Sequence, residues 1–153
     1  MSEAELSIYW VPLQKQGLLL PMSNVAEIIP YEPLQRVEET PDWFLGLLSW
    51  RGEQVPVASF EMLTLERASF SLVSVASASL IIVKGLNDQE ELPFYAIVSQ
   101  TPPREIEVEE EIFFVTGEEP ARTERAKVRF ENDIVSIPDL DYIEASLRNV
   151  LIG

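Results

Sequence analysis

The sequence predicts an all-β domain with two short helices. Eleven prolines divide the 153 residues into short segments rich in valine, isoleucine, leucine and aromatic side chains. That pattern is typical of many short strands separated by turns. Hydrophobic residues make up 46% of the chain, which is enough to form a buried core. Only two stretches carry the apolar spacing of a helix.

Nine segments are predicted as strands. Each is a short apolar or alternating run bounded by turn-forming residues. In chain order they span residues 6–13, 17–21, 25–29, 54–60, 79–84, 94–99, 105–108, 127–130 and 134–137.

The first predicted helix spans residues 41–50, after the third strand. Thr40 is a suitable N-cap and Pro41 suits the first helical position. Its apolar stripe at helical spacing would consist of Trp43, Phe44, Leu47 and Leu48. Aromatic residues in such a stripe usually belong to the core, but Trp43 and Trp50 on one short helix could also form an exposed anchor for a partner.

The second predicted helix spans residues 142–151 at the end of the chain. Asp141 is a candidate N-cap, and Glu144 stands three residues later as in a capping box.

Composition excludes several classes of function. The formal net charge is -15, from 26 acidic and 11 basic residues, which disfavours nucleic acid and anionic membrane surfaces as ligands. The chain has neither cysteine nor histidine, so disulfides, thiolate metal sites and histidine-dependent nucleophiles are absent. No basic segment followed by an apolar run opens the chain, and no apolar run is long enough to cross a bilayer. We therefore expect a cytoplasmic protein.

An acidic run at Glu105, Glu107, Glu109, Glu110 and Glu111 is the most conspicuous charged feature. A functional interpretation is a metal-binding or hydrolytic carboxylate site. The alternation of acidic and apolar residues instead fits the solvated face of a strand, and we favour that interpretation.

The segment Ser49, Trp50, Arg51 and Gly52 is the most informative short motif. Gly52 tolerates a positive φ just after the predicted helix. The planar guanidinium of Arg51 pairs well with a carboxylate, and Glu27 in the third strand is the candidate. An exposed arginine without a partner fits the sequence equally well.

Three motifs resemble the CheW-like coupling proteins of bacterial chemosensory systems. Residues 20–29 resemble the family's Val-x-Glu-Ile segment after an early strand. Thr40-Pro41 followed by Leu45-Gly46-Leu47 resembles its Thr-Pro and hydrophobic-Gly-hydrophobic pattern. Residues 50–57 resemble its Leu-Arg-Gly-x-x-hydrophobic-Pro-hydrophobic signature.

The resemblance implies two packed five-stranded SH3-like barrels within one domain spanning residues 1–153, with intertwined halves at about 14–65 and 66–153. It implies a non-catalytic scaffold, without cofactor or metal, that links chemoreceptor tips to the regulatory domain of a CheA-type histidine kinase. Such a protein would be recruited to membrane-associated receptor arrays. The predicted partner-binding residues are Val25, Glu27, Trp50, Arg51 and Gly52, with Glu27 and Arg51 pairing across neighbouring strands.

Departures from the family pattern indicate a divergent member, in a pilus or twitching-motility pathway rather than flagellar chemotaxis. They are Ser49, Trp50, Ser59, Ala96 and Gln100. Two other hypotheses remain open on the sequence: the carboxylate site at residues 105–111, and a free-standing acidic inhibitor or docking module.

Overall fold

Two β-sheets and a C-terminal helix make up the fold. The computed structural model describes residues 5–14, 16–65, 72, 74–87, 90–109, 114–115, 119–130 and 133–152. Within them the strands are β1 (Glu5–Pro12), β2 (Gly17–Pro21), β3 (Val25–Pro30), β4 (Phe44–Trp50), β5 (Glu53–Ala58), β6 (Ser79–Lys84), β7 (Phe94–Ser99), β8 (Arg104–Glu109), β9 (Phe114–Val115), β10 (Glu124–Phe130) and β11 (Asp133–Pro138). The helices are α1 (Phe60–Leu65) and α2 (Leu140–Ile152), and a 3-10 turn spans Met22–Asn24.

The strands form one six-stranded and one five-stranded sheet. The first has the order β8-β1-β2-β11-β10-β9, and the second β3-β6-β7-β5-β4. Most neighbours are antiparallel, but β2 pairs with β11 and β5 with β7 in parallel. Both sheets take strands from before and after residue 65.

The five-stranded sheet closes on itself. Its two edge strands, β3 and β4, lie at opposite ends of the strand order, yet the chain leaving β3 returns to β4. There the Gln35 N–H donates to the Leu47 carbonyl and the Leu47 N–H donates to the Gln35 carbonyl, both at 2.8 Å. Gly46 makes this approach possible, since its φ is +142° and a Cβ there would lie 2.6 Å from the Gln35 oxygen.

Several strands are buried on both faces, which explains their uninterrupted apolar runs. In β6, for example, Leu80 and Ile82 point into the interior of the five-stranded sheet, while Ile81 and Val83 pack between the two sheets. Helix α2 completes the layer between the sheets with Ile143 and Leu147. A smaller cluster fills the interior of the six-stranded sheet and includes Ile8, Leu19, Val128 and Val135.

All nine predicted strands are present, and those at 17–21, 79–84 and 94–99 have the predicted bounds. The helix predicted at 41–50 is wrong, because residues 44–50 form β4. Burial alternates along β4 with the period of two expected for a strand. Phe44 and Trp50 belong to the core, as the commoner interpretation of these residues predicted. The short helix of this region is α1, which follows β5.

Helix α2 begins two residues earlier than predicted and has a different cap. Asp139 is the N-cap, since its Oδ1 accepts the Tyr142 N–H at 3.1 Å. Glu144 forms no capping box. Its fully buried carboxylate instead accepts the backbone N–H groups of Leu86 and Asn87 at 3.0–3.1 Å. It therefore ties the loop after β6 to the helix.

In the part of the chain that is described, neither helix has the length and apolar character needed to cross a bilayer.

Candidate partner-binding surface

A two-residue hairpin turn between β4 and β5 positions Arg51. Trp50 and Glu53 are paired across the ladder, which leaves only Arg51 and Gly52 in the loop. Their φ angles are +48° and +78°, and positive φ at both central positions characterises a type I′ turn. A Cβ on Gly52 would meet no atom within 4 Å. Glycine therefore serves here for its backbone conformation and not for space.

The carboxylate of Glu27 joins the turn to β3. Its Oε1 accepts a hydrogen bond from Arg51 Nη2 at 3.0 Å and another from Trp50 Nε1 at 2.9 Å. The predicted Glu27–Arg51 pair is therefore formed. The prediction that the two residues pair across neighbouring strands is wrong, because β3 and β4 lie at opposite ends of the strand order. They meet only where the sheet closes.

The Trp50 ring supports the Arg51 side chain. The Arg51 guanidinium lies over the Trp50 ring, 4.7 Å from its centroid. Trp50 also contacts Phe94 edge-to-face, with the ring centroids 4.9 Å apart. Trp50 is 8% exposed, whereas the Arg51 side chain is 68% exposed. A buried aromatic ring thus holds an exposed cation in place.

The three contacts among Glu27, Trp50 and Arg51 differ in strength. A hydrogen bond to a charged group contributes about 1.5–3 kcal/mol, and the Trp50 N–H is the more buried donor. The ion pair is solvent-exposed and contributes about 0–1 kcal/mol. The cation–π contact adds about 0.5–1 kcal/mol. Trp50 is therefore the main anchor of the Glu27 carboxylate, and Arg51 is held at the surface by two weaker contacts.

Val25 lies on β3, two residues before Glu27. Val25 pairs with Val83 and Glu27 with Ile82, so Ala26 is the extra residue of a β-bulge. Val25 is half-buried against the core between the sheets. The structure thus brings Trp50 and Arg51 to the Glu27 carboxylate. Gly52 is the next residue of the turn, and Val25 lies two residues before Glu27 on β3.

Comparison with protein families identifies the chain. The family model described as the CheW-like domain matches residues 7–143. The chain belongs to the CheW-like family. No curated protein matches it.

A solved structure supports the fold of this CheW-like chain. It is the crystal structure of the scaffolding protein TtCheW from Thermoanaerobacter tengcongensis, with a TM-score of 0.72. The match covers 91% of this chain and 87% of that one at 16% sequence identity, so the likeness is one of fold. CheW-like proteins are non-catalytic scaffolds of chemotaxis, and this chain is a member.

The acidic run of the CheW-like chain lies largely on a strand. Residues 105–109 belong to β8, where Glu105 is exposed and Ile106 is half-buried, as expected for a solvated strand face. Glu110 and Glu111 lie outside the described residues. Over the ranges that the structure describes, no three acidic side chains are grouped so as to hold a metal ion.

Sequence reasoning missed how Trp50 and Phe94 support the site. The signal for Trp50 was available, because a buried indole N–H needs an acceptor, and Glu27 was already a candidate partner for its neighbour. Nothing local identified Phe94, which lies on β7 and is separated from β4 by β5 in the sheet.

A second buried carboxylate, Glu124, lies in β10 away from this surface. It accepts hydrogen bonds from the Ser136 hydroxyl, from the Ala121 N–H at 2.9 Å and from Lys127 Nζ at 3.2 Å. Burial raises the pKa of Glu124, but the hydrogen bonds from Ser136 and Ala121 and the Lys127 charge together outweigh it. The resulting pKa is below the usual range of a glutamate. Glu124 therefore acts as a charged structural element joining β10 to β11.

Proposed function

We propose that this chain couples chemoreceptor tips to a CheA-type histidine kinase by binding both proteins through different faces, with no covalent step. Membership of the CheW-like family supports this role. The observation that carries the proposal is the exposed Arg51 guanidinium, held by the Glu27 carboxylate and the Trp50 ring at a tight turn.

The geometry of Arg51 suits protein recognition. A guanidinium offers five N–H donors in a planar fork, and Glu27 engages only one of its nitrogens. Because the turn and the Trp50 ring already restrict the side chain, less conformational entropy is lost on binding. Arginine beside a buried tryptophan is also the residue combination found at interface hot spots. We infer that the receptor tip docks on Val25, Glu27, Trp50, Arg51 and Gly52.

The cellular setting forms part of the same proposal. We infer a single domain that acts in the cytoplasm at membrane-associated receptor arrays. The substitutions at Ser49 and Trp50 in the family's signature motif favour a pilus-motility pathway as its output.

The test measures binding of two purified fragments, a receptor tip and the regulatory domain of the kinase, by isothermal titration calorimetry. We expect the wild-type chain to bind each fragment and to form a three-component complex in size-exclusion chromatography. Arg51→Ala should weaken receptor binding by about tenfold or more and leave kinase binding unchanged. Failure of the wild-type chain to bind either fragment would contradict the coupling role.

A further inference from the structure

Two cavities flank the loop from β3 to β4 and together form a trough that has no assigned role. We propose that this trough docks an amphipathic segment of a protein partner that carries lysine or arginine beside apolar side chains. The proposal rests on the proposed function, because it would give the adaptor its second face. We call the feature the loop trough and define it by the two cavities that flank residues 38–42.

The two cavities have about 410 and 450 Å³ of volume and share Glu39 and Pro41. The first is lined in part by the half-buried Leu45, with the buried core residues Phe44 and Met62 behind it. The second lies against helix α2, and its apolar lining includes Trp43, Leu63 and Val150. The last three are half-buried residues packed against the core between the sheets. Partly exposed apolar side chains therefore lie on both sides of the loop, where a partner can cover them.

Carboxylates lie beside these apolar side chains. Glu38, Glu39 and Asp42 line the first cavity and are exposed. In the described residues no cation pairs with any of them, whereas Asp139 and Asp141 elsewhere on the surface are paired with Arg125. Arg36 is the one cation among the residues lining the two cavities. The trough thus has an excess of negative charge next to apolar surface, where a bound cation would be attracted more strongly than in open water.

The negative charge of the loop trough determines which kind of partner can bind there. Nucleic acid and anionic lipid would be repelled by these carboxylates. A second copy of this chain would bring a net charge of -15, so self-association through the trough is disfavoured. A basic amphipathic segment fits both the partly exposed apolar side chains and the carboxylates beside them.

The loop is held in a fixed conformation. The Gln35–Leu47 backbone pair ties its first part to β4. The Thr40 hydroxyl donates to the Val37 carbonyl at 2.8 Å, and the Phe44 N–H donates to the Pro41 carbonyl at 3.0 Å. A preformed surface of this kind reduces the entropy lost when a partner binds.

The loop trough and the Arg51 turn lie at opposite ends of β4. Seven residues separate them, from Phe44 to Trp50, which corresponds to about 20 Å of extended strand. Two partners can therefore dock on the same barrel without overlapping at β4, as a coupling protein requires.

The test uses two designed peptides as probes, a helical leucine–lysine peptide and its leucine–glutamate counterpart. Binding is measured by fluorescence anisotropy at physiological salt. The trough variant combines Glu38→Lys, Glu39→Lys and Asp42→Lys. The control variant makes the same change of charge on exposed acids of the six-stranded sheet and its flanking loop, with Glu105→Lys, Glu119→Lys and Asp133→Lys. Circular dichroism confirms that both variants are folded.

We expect the wild-type chain to bind the lysine peptide and not the glutamate peptide. Affinity should fall at least about tenfold in the trough variant and less than about threefold in the control. Amide chemical shifts of residues 36–45 and 142–150 should change on binding. Absence of binding, equal losses in both variants, or shift changes confined to other residues would overturn the proposal. Arg51→Ala should leave peptide binding unchanged, so the loop trough and the receptor surface can fail independently.

Discussion

Replacing Glu27 with alanine separates the contacts that meet at its carboxylate. The substitution leaves Trp50 Nε1 without its acceptor at 2.9 Å, in a residue that is 8% exposed. An unsatisfied buried donor costs about 1–3 kcal/mol. The lost ion pair with Arg51 adds at most about 1 kcal/mol, because the two side chains are 68% and 37% exposed. We therefore expect a loss of about 2 kcal/mol, which lowers Tm by about 4–8 °C in a domain of this size.

Thermal and urea unfolding followed by circular dichroism measure this loss. Glu27→Gln keeps an oxygen acceptor for the indole N–H and removes only the charge, so it should cost about 1 kcal/mol or less. Arg51→Ala should also cost about 1 kcal/mol or less, since it removes an exposed ion pair and a cation–π contact. If Glu27→Gln proved as destabilising as Glu27→Ala, or if Glu27→Ala had no measurable effect, Trp50 would not be the main anchor.

Three further substitutions test the fold. Gly46→Ala should lower the unfolding free energy by about 2 kcal/mol or more, because its Cβ would lie 2.6 Å from the Gln35 oxygen; an unchanged Tm would contradict this. Glu124 has a lower pKa in the folded chain than when unfolded, so its stabilisation is present above its unfolded pKa and is lost as pH falls towards the folded value. Glu124→Gln should therefore flatten the acid dependence of stability in urea unfolding, and an unchanged slope would refute it. Glu144→Gln should accelerate hydrogen exchange at the Leu86 amide, which donates to the Glu144 carboxylate. Unchanged protection of this amide would contradict the proposed link between the loop after β6 and helix α2.

Local pattern was sufficient for most strands of the fold. The bounds of β6 and β7 follow from apolar runs that end at turn-forming residues. The sequence pattern failed at β4 because four apolar residues occur there at helical spacing, namely Trp43, Phe44, Leu47 and Leu48. In the structure, residues of this strand pack into two different core clusters. A strand covered on both faces loses the polar alternation by which it is recognised. The Gln35–Leu47 pairing that fixes it is non-local.

The sequence predicted which residues form the candidate surface, but it did not predict how they are arranged in space. Arg51 required a carboxylate and Glu27 supplies it, which the chemistry of a guanidinium indicated in advance. Glu27 and the Arg51 turn belong to the two edge strands of the sheet, and they meet because the sheet closes. No short motif encodes that closure. The position of Glu144 is similar, since its spacing from Asp141 suggested a cap while its buried carboxylate binds a loop 57 and 58 residues away.

Comparing two exposed, ion-paired arginines tests the central claim most directly. Arg51 and Arg125 are 68% and 59% exposed, and each donates to a carboxylate at 2.9–3.0 Å. Calorimetric titration of a receptor-tip fragment into Arg51→Ala and Arg125→Ala should show affinity reduced about tenfold or more for the first variant and unchanged for the second. Equal affinities in the two variants would contradict the assignment of the Arg51 turn as the docking surface.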